Sequence, residues 1–523
     1  GAGEEGAGKE GCRQENCSQE GNSRQGNGRE VHSSQEDDPK ASGKLSDVLD
    51  LLIVGAGLSG IDAAYRVTER NPGLRYRIVE QRERIGGTWD LFRYPGVRSD
   101  SDIFTLSFPF RPWRGTKTMA SGAEIRDYLE DTARDTGIYD QIDFGVTVTA
   151  ADFDTASDTW TVTTNASGET RTYTTRFLYL CTGYYRYDEA YTPDFAGAED
   201  FSGTIVHPQF WPEDLDYAGK NVVVIGSGAT AVTLIPSMAD RAGHVTMLQR
   251  SPTYLFPVGW QEPTTPWIQR LLPRQWAHDV IRYRNALVTL SIYLFARRFP
   301  RTSRKLLRQI AIRNLPKGYD VDTHFRPRYN PWDERLCIIP DADFYKALGS
   351  DHADVVTDQI DRFTPGGIKL VSGEELPADI IVTATGLELL AFGGAQLSID
   401  GVEFKPHEKF AYRGYMLNDV PNLAWSIGYT NASWTLRVDL TSKAVGDLIA
   451  YMRAHGYTSA APTVGSATLP EHMLFALDAG YVRRGAVALP KSSDQAPWQV
   501  RHNLVLDAID SRRYEVTEAM EFH

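Results

Sequence analysis

The chain has 523 residues, 41% hydrophobic and 24% charged, the balance of a soluble globular protein of roughly two to four domains. Its net charge of -13 excludes a general attraction to nucleic acid. Its four cysteines, Cys12, Cys17, Cys181 and Cys337, are too few and too scattered for a disulfide framework and form no Cys-x-x-Cys pair. A reducing, cytoplasmic setting is therefore expected, with no dithiol centre and no metal site.

Residues 1–44 are rich in Gly, Gln, Glu and Ser, and Val31 is their one large apolar or aromatic residue. Such a segment buries too little apolar surface to offset its ordering entropy, so a disordered tail without a secretory core is expected. The folded part begins near Leu45. Leu51 to Val54 reads as a buried strand, Gly55-Ala56-Gly57-Leu58-Ser59-Gly60 as a turn, the next stretch to Arg70 as an amphipathic helix, and Tyr76 to Glu80 as a second strand. In such a turn Gly55 permits the tight bend, Gly57 lets backbone approach a pyrophosphate, and Gly60 lets helix and strand pack closely. Glu80, 20 residues beyond Gly60, is placed to accept hydrogen bonds from ribose hydroxyls; the plain alternative is an exposed strand-end acid.

The apolar run Phe177 to Thr182, before Gly183, reads as another buried strand. A second strand-turn-helix unit follows: Asn221 to Ile225, then Gly226, Gly228 and Ala231 in the turn, then the strand Val245 to Leu248. After it stand Arg250 and Ser251, with no acid. An arginine there pairs with a 2'-phosphate through charge-assisted bonds, which points to NADPH over NADH. Residues 253–330 break the pattern. Between Arg270 and Arg328 stand 14 Lys or Arg and 3 Asp or Glu, about +11 in an acidic chain. A helical insertion with a solvated basic face is expected, and peripheral contact with an anionic membrane is the sharper alternative. Ile380 to Thr385, before Gly386, resembles Phe177 to Thr182, and both are expected in the first sheet. The resulting fold is α/β, with two doubly wound dinucleotide-binding domains. A first domain for FAD spans 45–186 and 375–523. A second domain, for NADP, spans 187–374 and carries the helical insertion. Two such domains in one chain suggest electron transfer from NADPH to a flavin.

Phe201, Gly203, His207, Trp211 and Pro212 match the string FxGxxxHxxxWP, and Gly87-Thr88-Trp89 with Tyr94-Pro95-Gly96 and Asp100 forms a second signature. On these residues the chain resembles the Baeyer–Villiger and related class B flavin monooxygenases over essentially everything after residue 45. Within these enzymes it resembles the mycobacterial ethionamide-activating type. The resemblance implies that NADPH reduces FAD and that O2 yields a C4a-peroxyflavin. This species would convert a ketone to an ester or lactone, or oxidise a thioether. It further implies that Arg335 is the catalytic cation, that Asp100 holds it, that Thr88 and Trp89 lie by the flavin, and that His207 and Trp211 fix the hinge. For Arg335 the plain alternative is a surface ion pair. Relatives often carry lysine where this chain has Glu334, which leaves more of the 2'-phosphate to Arg250. A sulfur- or nitrogen-oxidising enzyme and a flavoprotein without productive oxygenation remain the other readings.

Overall fold

The computed structural model describes residues 48–334, 336–475 and 480–523, without the side chain of Tyr481. The expected disordered tail, 1–44, lies outside the described residues. β1 (Leu49–Val54) runs through the glycine turn into α1 (Leu58–Arg70), and β2 (Tyr76–Glu80) pairs parallel to β1. α2 (Gly122–Asp135) opens on a capping box of Ser121 and Glu124. β3 (Ile142–Phe144) extends the sheet beyond β2. β4 (Val146–Asp154), β5 (Thr159–Ala166) and β6 (Glu169–Leu180) form an antiparallel meander. The apolar end of β6 pairs parallel to β1, with Phe177 opposite Leu51, as its composition predicts.

The second lobe begins with β7 (Thr204–Val206), β8 (Asn221–Ile225), α3 (Ala229–Met238) and β9 (His244–Gln249). β10 (Tyr254–Val258) precedes the insertion, which is helical as expected: α4 (Thr265–Leu271), α5 (Arg274–Arg298) and α6 (Pro300–Asn314). β11 (Leu336–Pro340) returns beside β10 as a parallel ribbon. β12 (Ala353–Thr357) and β13 (Ile380–Thr383) complete a five-stranded, all-parallel sheet in the order β12-β9-β8-β13-β7.

β13 corrects the sequence expectation. The expectation puts Ile380 to Thr385 in the first sheet, whereas the strand Ile380 to Thr383 pairs with β8 and β7 of the second. Ile380 and Val382 enter one core of that lobe and Ile381 the other, so both strand faces are buried. Each Thr-Gly run lies beside its own glycine turn. A Cβ on Gly55 would meet the Cys181 carbonyl oxygen at 2.6 Å, and a Cβ on Gly226 would meet that of Ala384 at 2.3 Å. The chain returns to the first sheet at β14 (Gln396–Ile399) on β4 and β15 (Leu423–Trp425) on β6. The junction therefore follows Thr383 and does not fall at 375.

α7 (Thr435–His455) packs along α1. Leu51 and Ile53 of β1 share a core with Ile61, Ala64 and Val67 of α1 and Val445 and Leu448 of α7. Leu52 and Val54 face the opposite core with Val148 and Trp160, the two-sided alternation of a covered strand. An ion pair of Arg66 and Asp439, at 2.7 Å, ties the two helices. Beside it Asp62 is fully buried, and burial first, with the Asp439 charge second, pushes its carboxyl up to about 8. In an unfolded chain such a group titrates near about 3.9. Between those values the folded protein holds a proton that the unfolded chain has released. Stability is therefore full in acid and falls as pH rises toward 8, by at most about 1.4 kcal/mol per pH unit. Asp62→Asn, uncharged and similar in shape, should remove this slope. Its stability relative to the parent should rise by about 2 kcal/mol or more from pH 5 to pH 8. Urea unfolding at both pH values tests this, and parallel pH profiles would refute it.

Candidate active site

The first turn is built by close approach. Gly55 has φ +103°, and a Cβ on Gly60 would sit 1.8 Å from the Gly55 carbonyl oxygen. No acid occupies the first turn of α1, so its N-terminal N–H groups and dipole are free to meet an anion. Glu80 ends β2 and is buried. One carboxylate oxygen accepts from Ala56 N–H at 2.6 Å and the other from Arg82 N–H at 2.9 Å. Burial holds its carboxyl above the usual range. Glu80 thus pins the turn while lining the same cavity as Gly55 and Gly57.

That cavity has a volume of about 730 Å³ and draws on both lobes. From the first signature come Thr88, Trp89 and Asp100. Thr88 Oγ1 lies 3.3 Å from Tyr187 Oη, Trp89 packs against the first core, and Asp100 is exposed at the cavity. Asp102, nearby, accepts from Thr105 N–H and from Asn285 Nδ2 of α5, which ties the insertion to this loop. Burial raises its carboxyl to about 6. Arg98 reaches the second lobe through Asp343 at 2.7 Å. The late segment supplies Asn431 and Trp434. The indole of Trp434 donates to Ser59 Oγ at 2.9 Å and stacks on Tyr184. Trp332 and Glu334 also line the cavity. Arg335, between Glu334 and Leu336, lies outside the described residues.

The second turn faces both this cavity, through Ala229 and Thr230, and a smaller one of about 70 Å³. Gly226 has φ +135°. A Cβ on Gly228 would meet no atom within 4 Å, so the space beside this backbone is open. Ala231 is fully buried, so α3 accommodates a methyl at the third turn position where α1 has none. Ser251 is fastened to the turn, its carbonyl accepting from Ser227 Oγ at 3.0 Å. Arg250 follows β9 and is exposed; it lines neither cavity.

The FxGxxxHxxxWP segment lies at the β7 edge of the second sheet. Phe201 is buried in that lobe, and a Cβ on Gly203 would meet the Asp379 carbonyl oxygen at 2.3 Å. His207 accepts through Nδ1 from Gln209 N–H, and burial holds its pKa below the usual histidine value. Trp211 packs on the second core, and Pro212 is exposed. Gln209 and Tyr187 were not singled out from the sequence. Gln209 Nε2 donates to the carbonyls of Arg186, Tyr187 and Glu189, which ties the segment to the linker between the sheets. Tyr187 borders the large cavity, and burial raises its phenol to about 12. Their one sequence signal was position: Gln209 lies inside the string and Tyr187 just past a Thr-Gly strand.

A mixed sheet and an all-parallel sheet whose glycine turns border one cavity define an oxidoreductase that brings two dinucleotide cofactors together. Residues 52–289 match the family described as pyridine nucleotide-disulphide oxidoreductase. The matched stretch spans both glycine turns and contains no Cys-x-x-Cys pair. The chain is 48% identical over 480 residues to the FAD-containing monooxygenase EthA of Mycolicibacterium smegmatis, covering 92% of this chain and 97% of the relative. It is 49% identical over 466 residues to the putative FAD-containing monooxygenase MymA of Mycobacterium tuberculosis, covering 88% and 94%. Among solved structures it is similar to an oxidized steroid monooxygenase bound to NADP, with TM-score 0.71 and 23% identity over 91% of this chain and 99% of that one. A cyclohexanone monooxygenase bound to epsilon-caprolactone gives TM-score 0.71 at 19% identity, over 91% and 100%. The chain belongs to the FAD-containing monooxygenase family, of Baeyer–Villiger type in fold, and its cofactors are FAD and NADP.

Proposed function

We propose that the enzyme uses NADPH and O2 to convert lipophilic ketones to esters or lactones, with oxidation of thioethers at the same site. The reading is carried by the seat of the FxGxxxHxxxWP segment. His207 and Gln209 border the smaller cavity together with Gly228, and Gln209 ties the segment to the linker that carries Tyr187. In this reading Gly55, Gly57, Gly60, Glu80, Thr88 and Trp89 hold FAD, while Gly226, Gly228, Ala231, Arg250 and Ser251 hold NADPH. When bound, the two cofactors supply the reducing equivalents and activate O2.

The protein supplies binding, orientation and electrostatics. Arg335, whose chain neighbours Glu334 and Leu336 line the large cavity, is the proposed cation for the negative charge of the transferring oxygen, with Asp100 orienting it. The indoles of Trp332 and Trp434 and the ring of Tyr184 line the cavity and give it its apolar wall. His207 and Trp211 are proposed to fix the linker and not to move protons.

The deciding experiment supplies NADPH, oxygen-18 gas and either a phenyl ketone or an aryl thioether to the FAD-loaded enzyme. One labelled oxygen in an ester supports the proposal. Labelled sulfoxide with no ester moves the assignment to sulfur oxidation, and hydrogen peroxide alone removes productive oxygenation. Arg250 has its own test. Loss of a charge-assisted pair with a 2'-phosphate costs about 1.5–3 kcal/mol, so Arg250→Ala should raise KM for NADPH by about tenfold to a hundredfold and leave KM for NADH nearly unchanged. Equal effects on both would take Arg250 out of the phosphate site.

A further inference from the structure

The helical insertion carries a surface that the reaction does not use. On α5 the side chains of Trp276, Val280, Tyr283, Leu287 and Leu294 are exposed, and their spacing places them on one stripe of the helix. Trp276 is 69% exposed and Tyr283 64%. The adjoining α4 adds Trp267 at 65% and Leu271 at 76%. The other face of α5 is packed: Ala277, Ile281 and Ala286 are buried, Arg282 is buried with Nη1 donating to three main-chain carbonyls, and Thr289 lines the large cavity. The helix is therefore held firmly to the body while presenting large apolar side chains outward, an unusual exposure for a soluble surface.

Charge says what covers this stripe. Between Arg270 and Arg328 the chain is about +11, against -13 overall. Arg298, Arg301 and Lys305, at the α5–α6 corner, are exposed. Tryptophan and leucine flanked by Arg and Lys suit the boundary between anionic headgroups and acyl chains. Among the described residues no helix is long and apolar enough to cross a membrane, so contact would be superficial. A two-fold contact with a second copy would set this basic rim against the same basic rim of its partner. We propose that the α4–α6 face docks on an anionic lipid surface, with α5 lying in the interface and its cavity-lining side turned toward the active site.

The test is co-sedimentation of the full-length, FAD-loaded protein with two vesicle types. One is phosphatidylcholine alone, and the other is half phosphatidylglycerol. Sedimentation with the anionic vesicles only is expected, weakened near 1 M salt, where the screening length falls to about 3 Å. The double variant Trp276→Glu with Leu287→Glu should weaken binding about tenfold or more by removing two inserted side chains. The triple variant Arg298→Glu, Arg301→Glu, Lys305→Glu should weaken anionic binding by a similar factor. Both sets are exposed and outside the site, so turnover of a water-soluble ketone should be unchanged. No binding above that to neutral vesicles would overturn the proposal. So would self-association in sedimentation velocity that the Glu pair abolishes while vesicles stay unbound, which would assign the face to a second copy.

Discussion

Gly60→Ala should yield a protein that no longer retains FAD. The added methyl would lie 1.8 Å from the Gly55 carbonyl oxygen, far inside van der Waals contact. Either α1 retreats from β1 or the turn deforms. Retreat is blocked, because Ile61, Ala64 and Val67 have no exposure, α7 packs along the helix, and the Arg66–Asp439 ion pair fixes the distance. Deformation is blocked at Gly55, already at φ +103° and against Cys181. Overpacking of this kind costs about 1–3 kcal/mol when neighbours yield, and more when backbone meets backbone. The N–H groups of Gly57 to Gly60 would also leave the position an anion requires. FAD affinity should fall about a hundredfold or more, equivalent to about 2.7 kcal/mol. Flavin absorbance per polypeptide after gel filtration measures this, and an unaltered ratio with an unaltered melting temperature would refute the close-approach argument. Gly228→Ala is the control. No protein atom lies within 4 Å of that Cβ, so the variant should fold and keep its flavin while binding NADPH more weakly.

The same geometry explains what could be read from the sequence. Strand β2 has the bounds its residues predict, and α1 ends at Arg70 as expected, because an apolar run, a glycine turn and a helical period are all local signals. The helical insertion was legible for the same reason. Sheet membership of β13 was not. Ile380 to Thr383 is apolar at its first three positions, and such a strand suits the parallel part of either sheet. Only the partner's register distinguishes them, and that is a long-range property. Asp62 was invisible for a related reason. It occupies one helical position among small and apolar residues, and α7, more than 370 residues later, packs along that helix. Gln209 stands at an unspecified position inside the FxGxxxHxxxWP string. Its three carbonyl partners belong to the linker, whose path no periodicity describes. The family strings located the site, while the polar contacts that hold it had to come from the folded chain.

Arg335→Ala should separate the two halves of the reaction. NADPH reaches its proposed seat through Gly226, Gly228 and Arg250, none of which neighbours Arg335 in sequence, so reduction of bound FAD should proceed at nearly the parent rate. Oxygen transfer is different. A fixed cation aimed at developing negative charge in a site with little water is worth far more than in solution, and removing one such group costs about a hundredfold to a thousandfold in rate. Trp332, Trp434 and Tyr184 line the cavity in which this charge would develop. The variant should consume NADPH and release hydrogen peroxide in place of ester. Arg335→Lys tests the reason further: it keeps the charge but loses the planar fork that a carboxylate such as Asp100 pairs with, so intermediate ester formation is expected. Asp100→Asn should lower ester yield less than Arg335→Ala, because it disturbs orientation and leaves the charge. Stopped-flow flavin absorbance follows the reductive half, and ester formed per NADPH consumed follows the oxidative half. Ester yield equal to the parent in Arg335→Ala would remove the arginine from the reaction. Loss of flavin reduction with it would place the residue in NADPH binding instead.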